Sequence, residues 1–394
     1  MSLPRLVFRP CLRPRLVLVR GFHTSRFNYG IKILFCGSDD FSLKSLQTLQ
    51  AIKESPDNSS IDSIEVLLKY EAPKGRGLKE QRLNPVREFA TEKSLEIYSL
   101  DEQQFQDWKP PRPLDLIIAV SFGLFIPSRI LEHARFGGLN VHPSFLPKYW
   151  GASPIQHALL NKDKSTGVVV QTLHPEKFDA GKIIAKSEPV EISFDTSTFP
   201  PPMIDKRSPY RQLESKLAEV GANLLGDVIK NQHYDHVVQR RLPAIETGET
   251  RKRASLLTTE DSRILFGKMT GEDVFLRGLV FDRLFCYQRK VRESKAGKES
   301  RVPERVKMGP FRLPTSAEYE EYLKGAGPER QYVYIPNRVK KSKAGSLALQ
   351  VSPGDWVCVQ YFTVAGKGQK DAQSLSCKDP KVVNFISHGP EESE

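Results

Sequence analysis

The stretch GLNVHPSFLPKYWGASP, residues 138–154, decides how the fold is interpreted. It begins as an apolar run typical of a buried strand, and it continues as a loop stiffened by prolines. Neither helical nor strand periodicity explains the whole stretch. Asn140 and His142 lie two positions apart where the predicted strand ends. An amide and an imidazole at a strand end indicate a functional site.

The chain on the amino-terminal side of this stretch alternates between two kinds of pattern. Apolar, β-rich runs predict strands at 31–38, 63–70, 95–100 and 114–122. Apolar residues at helical spacing predict helices at 42–52 and 84–94. This alternation predicts an α/β fold with a Rossmann-like, mostly parallel sheet. Ligands of such sheets bind beyond the carboxyl ends of the strands, where Asn140 and His142 are expected. The segment GSDDF (37–41) lacks the GxGxxG spacing, so we do not expect a dinucleotide.

The pattern continues past the central stretch. Residues 165–173 and 182–192 predict a strand pair, and a proline-rich connection follows at 194–208. Pro209 then begins a predicted helix with one apolar face. We expect this first unit to cover residues 29–232 and a linker to cover 233–260.

The sequence pattern changes after the linker. Short β-like runs at 273–281, 331–337, 345–351 and 356–366 predict a smaller, OB-like β-barrel over residues 261–394. The run 289–312 holds nine basic and three acidic residues. Residue by residue, such a run is more often a solvated, partly disordered loop. The alternative is a surface that contacts phosphates.

The first residues differ in charge from the rest. The formal net charge is +12, yet residues 1–38 contain six arginines and no acidic residue. This composition predicts a mitochondrial transit peptide at 1–28 and a location in the mitochondrial matrix, the alternative being a basic tail without a targeting role. The remaining chain is mildly basic, which permits a polyanionic partner. No run of 18 apolar residues is present, so no membrane partner is expected. The five cysteines form no CxxC pair, which fits a reducing compartment.

Asn140, His142 and Asp179 form a polar set suited to acyl transfer. Transfer to an amine requires a donor for the developing oxyanion and a group that moves protons. An amide donates without titrating, an imidazole shuttles protons near neutral pH, and a carboxylate can orient that imidazole. Each residue alone has a structural alternative: a hydrogen-bonded core histidine, or an aspartate that forms a turn.

The order of motifs resembles that of the folate-dependent formyltransferases. Residues 138–183 contain N-x-H-x-S-x-L-P, then G-A-x-P-I, then T-G-V and D-x-G. The resemblance is closest to the branch that acts on initiator methionyl-tRNA, and it is clearest from about residue 30 to 192. Lys148-Tyr149-Trp150 departs from the R-W-R of that branch.

The resemblance implies roles for individual residues. Asn140, His142 and Asp179 match the catalytic trio. The segment 119–127, with Phe122 and Gly123, matches the border of the pterin site. Further folate contacts match Ser144, Phe145, Leu146 and Pro147. A basic loop at 73–90 matches a tRNA-contacting insertion, with Lys74, Arg76, Lys79 and Arg82 as its candidates.

The implied reaction moves the formyl group of 10-formyltetrahydrofolate to the amino group of initiator methionyl-tRNA, without a metal. We expect the protein to be a monomer. One alternative is a formyltransferase for small molecules, or a formyltetrahydrofolate hydrolase, with the same core. The other is a catalytically idle RNA-binding protein on this scaffold.

Overall fold

A computed structural model describes residues 30–56, 60–70, 84–293, 299–328, 330–336, 345–371 and 384–386. The predicted transit peptide (1–28) and the basic candidates Lys74, Arg76, Lys79 and Arg82 lie outside these residues.

The first unit is an α/β structure around one sheet. In chain order its elements are β1 (Ile31–Cys36), α1 (Asp40–Glu54), β2 (Ile61–Lys69), α2 (Pro85–Glu92), β3 (Glu96–Leu100), α3 (Glu102–Asp107), β4 (Leu116–Ala119), α4 (Ser128–Leu131), β5 (Gly138–His142), β6 (Lys148–Trp150), α5 (Pro154–Leu160), β7 (Ser165–Thr166), β8 (Val169–Thr172), β9 (Ile183–Lys186), β10 (Val190–Glu191) and α6 (Pro209–Lys230).

The seven-stranded sheet has the order β3-β2-β1-β4-β5-β8-β9. The five strands from β3 to β5 are parallel, and β8 and β9 are antiparallel additions. The mostly parallel sheet predicted from the alternating pattern is therefore confirmed. The strand order reverses between β1 and β4, which opens a crevice at their carboxyl ends.

Helices cover the sheet because their apolar faces must be buried. The longest, α6, begins at Pro209 behind an N-cap whose Ser208 side chain accepts from the Arg211 amide. Its apolar face contributes Leu213, Leu217 and Leu225 to the main core, together with residues of α1. This packing fixes the sheet from which the site residues project.

The second unit is a separate antiparallel sheet. From the linker onward the elements are α7 (His236–Arg241), β11 (Lys252–Arg253), a 3-10 turn (Glu260–Ser262), α8 (Gly271–Phe281), β12 (Leu284–Glu293), β13 (Glu299–Arg312), α9 (Ser316–Glu318), a π turn (Tyr319–Leu323), β14 (Tyr332–Ile335), β15 (Ser346–Ser352), β16 (Asp355–Val364), β17 (Lys370–Asp371) and β18 (Asn384–Ile386).

This second sheet curls so that its two outer strands come together. Its order is β14-β15-β16-β13-β12-β18, with β17 paired to β16. The side chain of Gln331, just before β14, accepts from the Phe385 amide of β18 at 2.9 Å and donates to the Phe385 carbonyl at 3.3 Å. The near-closure agrees with a barrel-like arrangement.

The expectation of a strand at 273–281 is wrong, because the segment forms α8. Thr270 and Asp273 form a capping box, in which each side chain accepts from the other residue's backbone amide. Such a box satisfies the free N–H groups of a first helical turn. The branched and aromatic residues of the segment favour strands, but the cap and the buried face around Val274 and Leu279 favour a helix.

The likelier reading of 289–312 as a loop is also wrong. Most of this run belongs to the β12–β13 ladder, which pairs from Leu284↔Met308 to Glu293↔Glu299. The prediction of a basic loop over 73–90 is also wrong at its carboxyl end. Asn84 caps α2, and Arg87 lies on that helix with its guanidinium donating to Ser99. The helix predicted at 84–94 is confirmed by α2, so the loop prediction is wrong for the residues from 84 to 90.

Replacing Leu225 with Ala tests the packing of α6. Leu225 is completely buried in the main core, so the change should cost about 2–5 kcal/mol of unfolding free energy. Leu256→Ala is the matched control, because Leu256 is 73% exposed and should change stability by less than about 0.5 kcal/mol. Denaturant unfolding measures both. Equal stability of the two variants would contradict the assigned core.

Candidate active site

The structure brings the three catalytic candidates together. Asn140 Nδ2 donates to Asp179 Oδ1 at 3.2 Å, and His142 Nδ1 lies 3.5 Å from the same oxygen. The His142 and Asp179 side chains are only 6% and 8% exposed. The side chains of Asn140 and His142, expected to act together with Asp179, therefore lie within 3.5 Å of its Oδ1 atom, at the carboxyl end of β5.

Backbone geometry explains the placement of these side chains. Asn140 and His142 are two apart on β5, so they project from the same side of the sheet. Asp179 adopts a left-handed conformation with φ 50°, which turns its carboxylate back toward β5. Gly181 lets the Asp179 turn approach β8, because a Cβ there would meet the Thr172 carbonyl oxygen at 1.7 Å.

Gln171 is a site residue that sequence reasoning missed. It lies on β8 directly opposite Asn140 and is 2% exposed. Its Nε2 donates to Asp179 Oδ1 at 2.9 Å, while its Oε1 is buried without a hydrogen-bond partner among the described residues. The sequence predicted the strand, but only the register between β5 and β8 reveals that Gln171 faces the trio.

A second backbone contact orients the imidazole. His142 Nε2 lies 2.9 Å from the carbonyl oxygen of Tyr149, whose φ is 58°. A carbonyl oxygen only accepts, so Nε2 must carry a hydrogen. In the neutral ring Nδ1 would then present a lone pair to the Asp179 carboxylate. The imidazole is thus held from both sides, by the Tyr149 carbonyl at Nε2 and by the Asp179 carboxylate near Nδ1.

The loop after β6 supplies another donor. The Gly151 amide donates to Asp179 Oδ2 at 2.8 Å, so both carboxylate oxygens are engaged. The linker holds this loop from outside: Ala254 N donates to Trp150 O at 2.7 Å, and Ser153 N donates to Ala254 O at 3.2 Å. A Cβ at position 151 would lie 2.6 Å from Ala254 O. Glycine is required for this close approach.

The segments expected to contact folate lie close to Asn140 and His142 in the sequence. The Ser144 hydroxyl is buried and donates to Lys148 O at 2.6 Å, so it stabilises the turn. Leu146 is 3% exposed, and its carbonyl accepts from Thr247 of the linker. In the loop after β4, Phe122 is 5% exposed and Gly123 has φ 74°. The contacts of Phe145, Pro147 and their neighbours with a ligand remain predictions.

A polar cluster between α1 and α6 lies near the end of β1. Gln156 donates to the Tyr210 hydroxyl at 2.8 Å, and that hydroxyl donates to Glu214 at 3.3 Å. Burial raises the pKa of Glu214, although the adjacent Arg211 guanidinium acts in the opposite direction. Burial likewise raises the pKa of Asp39, opposed by donors from Ser42. These carboxyls hold their protons more tightly than exposed ones.

The described part of the chain holds neither a candidate metal cluster nor a candidate membrane-spanning helix. No group of three or more His, Cys, Asp or Glu side chains is placed to hold a metal ion there. Within the same residues, no helix is long and apolar enough to cross a membrane.

Comparisons place the chain among known sequences. A profile of the family described as "Formyl transferase" matches residues 31–199. Mitochondrial methionyl-tRNA formyltransferase of Saccharomyces cerevisiae is 34% identical over 260 residues, which cover 59% of this chain and 63% of the relative. Methionyl-tRNA formyltransferase of Syntrophomonas wolfei is 30% identical over 243 residues, which cover 60% of this chain and 68% of the relative. The chain thus spans less than two thirds of the yeast relative's length.

One solved structure is similar over much of the chain. It is a sugar 3N-formyl transferase, determined in the presence of dTDP and 5-N-formyl-THF. It superposes with a TM-score of 0.47 and 14% identity, covering 86% of this chain and 100% of the other.

Gln171→Glu tests how tightly Asp179 is enclosed. The new carboxyl would replace a donor that lies 2.9 Å from Asp179 Oδ1. Two carboxylates this close cannot both ionise, so one should have a raised pKa in the folded state. The unfolded chain releases this proton above its ordinary pKa of about 4.3, whereas the folded chain retains it to a higher pH. The free energy of unfolding should therefore fall as the pH rises above that value.

Denaturant midpoints between pH 4 and 8 measure this effect. Each unit of raised pKa should remove about 1.4 kcal/mol of stability at neutral pH. Gln171→Met is the control, because it removes the same donor without adding a charge. The same pH dependence in both variants would contradict the assigned contact.

Proposed function

Because the chain belongs to the formyl transferase family, we propose that it transfers the formyl group of 10-formyltetrahydrofolate to the amino group of initiator methionyl-tRNA. The observation that carries the proposal is the close grouping of Asn140, His142 and Asp179 at the carboxyl end of β5, where Asn140 Nδ2 and His142 Nδ1 lie 3.2 and 3.5 Å from Asp179 Oδ1. The names of the yeast and Syntrophomonas relatives support methionyl-tRNA as the acceptor.

In the proposed reaction the α-amino nitrogen attacks the formyl carbon. A C–N bond forms, and the formyl oxygen becomes an oxyanion. Asn140 Nδ2 has two hydrogens, and Asp179 accepts one of them. The second can stabilise the oxyanion without any change in the charge of the side chain. His142 lies two positions along the same strand and supplies the other polar group at this point.

His142 and Asp179 would handle the proton. The amine loses one proton as it attacks, and the N10 atom of the folate gains one as its bond to the formyl carbon breaks. The close approach of Nδ1 to Asp179 Oδ1, 3.5 Å, provides a place to hold that proton between the two steps. The Tyr149 carbonyl keeps the ring oriented meanwhile.

The folate would lie between the loop after β4 and the segment after β5. A pterin needs an apolar slot with a few backbone hydrogen bonds. Phe122 and Leu146 are buried at these two segments and would form the apolar floor of such a slot. Phe125 and Phe178 form an edge-to-face pair with centroids 5.0 Å apart, which joins the β4 loop to the residue before Asp179.

We propose that the remaining parts of the chain bind the tRNA that accepts the formyl group. The basic residues Lys74, Arg76, Lys79 and Arg82 would contact the tRNA, as would a domain of residues 261–394 that follows the 29–232 catalytic unit and the 233–260 linker. The arginine-rich 1–28 segment and the mitochondrial relatives support action in the mitochondrial matrix. That the protein acts as a monomer stays a prediction.

A formylation assay tests the proposal directly. The full chain should formylate charged initiator tRNA when 10-formyltetrahydrofolate is supplied, and it should do so far faster than it formylates free methionine or other small amines. Faster transfer to a small amine would favour a small-molecule enzyme. Binding of tRNA without any transfer would favour an idle RNA-binding protein.

Asn140→Ala should slow transfer strongly without unfolding the protein. Loss of one oxyanion donor typically lowers kcat by about 100- to 1000-fold. Asn223→Ala, an exposed change on α6, is the matched control and should keep full activity. Steady-state kinetics and circular dichroism separate the two effects. A folded Asn140→Ala protein with normal kcat would contradict the role.

A folate analogue should protect two segments from hydrogen exchange. These are residues 119–127 and 144–147, because backbone amides there would bind the ligand or lose contact with solvent. Exchange measured by mass spectrometry, with and without a non-reactive formyl-folate analogue, gives the comparison. Protection confined to residues beyond 261 would refute the placement.

A further inference from the structure

The buried side chain of Gln171 contacts the candidate active site from strand β8. Gln171 lies directly opposite Asn140 of β5, so the two side chains project from the same face of the sheet. Its Nε2 donates to Asp179 Oδ1 at 2.9 Å, and the residue is only 2% exposed. A side chain this deeply buried does not meet a substrate, so its influence on a reaction passes through Asp179.

Three side-chain nitrogen atoms face one oxygen of Asp179. Gln171 Nε2, Asn140 Nδ2 and His142 Nδ1 lie 2.9, 3.2 and 3.5 Å from Oδ1. A carboxylate offers about four lone-pair sites on its two oxygens, so each oxygen accepts about two hydrogen bonds. The Gly151 amide engages the other oxygen, Oδ2. Gln171 thus makes the shortest of the three contacts to Oδ1, and Asn140 makes a longer one.

The two ends of the Gln171 amide are unequally satisfied. Nε2 donates to Asp179, whereas Oε1 is buried without a hydrogen-bond partner among the described residues. An unpaired buried acceptor lowers the stability of the folded chain. An apolar side chain of similar size would fill the same space without that cost. What the amide supplies, and an apolar side chain does not, is the donor to Asp179.

We propose that Gln171 is a positioning residue for formyl transfer, which acts through Asp179 on Asn140. This inference rests on the proposed function and deepens it. The bond from Gln171 fixes the orientation of the Asp179 carboxylate, and that carboxylate accepts one of the two Asn140 Nδ2 hydrogens. The other hydrogen of Asn140 is then held in the direction in which it stabilises the oxyanion.

Loss of the Gln171 donor would leave a free lone pair on Asp179 Oδ1. Asn140 and His142 already face that oxygen at 3.2 and 3.5 Å, so either side chain can shift toward it. Each shift moves a group that the proposed transfer uses. A displacement of about 1 Å can lower a rate by about 100-fold. The segments proposed to bind folate, 119–127 and 144–147, do not include Gln171, so folate binding should change little.

Gln171→Leu in the full chain tests the role. We expect kcat for formylation of charged initiator tRNA to fall by about 10- to 100-fold, with KM for 10-formyltetrahydrofolate nearly unchanged. Gln50→Leu is the matched control. Gln50 is 5% exposed, donates to Glu54 at 2.8 Å, and also has a buried Oε1 without a partner among the described residues. It should keep full activity.

Gln171→His separates loss of the donor from a change in packing. The Nε2 atom of a histidine lies as many bonds from Cβ as the Nε2 atom of Gln171, so it can donate to Asp179. Gln171→Met fills the space without a donor, and it also replaces the Leu variant if that variant does not fold. We expect the His variant to recover much of the activity that the Met variant loses. Equal kcat in these two variants would overturn the proposal.

A double-mutant cycle tests whether Gln171 acts through Asp179. In Asp179→Asn the carboxylate is absent, so adding Gln171→Leu should cause little further loss in single-turnover transfer. Losses that multiply in the double variant would show that Gln171 acts independently of Asp179, and they would overturn the proposal. An unchanged kcat in folded Gln171→Leu would do the same.

Failure of the proposed function is distinguishable from failure of this role. If the unmodified chain does not formylate charged tRNA, the proposed function fails and the role of Gln171 fails with it. If the unmodified chain formylates tRNA and Gln171→Leu does so at the same rate as Gln50→Leu, only the role of Gln171 fails.

Discussion

The Asp179 carboxylate holds the candidate site together. It accepts from the side chains of Asn140 and Gln171 and from the Gly151 amide, and it faces His142. Strand β5, strand β8 and the loop after β6 therefore meet at one side chain. Because the group is only 8% exposed, water cannot replace a lost donor easily. A change in any of these three segments should therefore be felt by the other two.

The linker is the second constraint on the same loop. Its backbone bonds to Trp150 and Ser153 through Ala254, and the guanidinium groups of Arg251 and Arg253 lie 4.8 and 5.3 Å from the Trp150 ring. The linker also borders the second sheet, where Thr258, Thr259 and Ser262 line a cleft together with Arg283, Arg305 and Lys307. One chain segment thus joins the loop after β6 to the second sheet. Displacement of that sheet would reach the Gly151 donor through Ala254.

The sequence predicted what local patterns encode. Apolar periodicity correctly identified the strands that form the parallel sheet and the helix that begins at Pro209, and the family resemblance is confirmed by the matched profile and relatives. The strand predicted at 273–281 is wrong. Its β-rich composition favours a strand, but the capping box of Thr270 and Asp273 begins a helix there. Gln171 and Ala254 escaped notice for another reason. Their importance depends on register and contact between distant segments, which periodicity does not contain.

The donors around Asp179 also explain how a strained backbone persists. A non-glycine residue in the left-handed region costs on the order of 1–3 kcal/mol. Hydrogen bonds to a charged group contribute about 1.5–3 kcal/mol each. The contacts from Asn140, Gln171 and Gly151 can therefore offset the strain at Asp179 and leave a rigid carboxylate. These dipoles are already oriented in the folded chain, so little reorganisation is needed when charge develops on a substrate. A preorganised polar site lowers the barrier to group transfer for this reason.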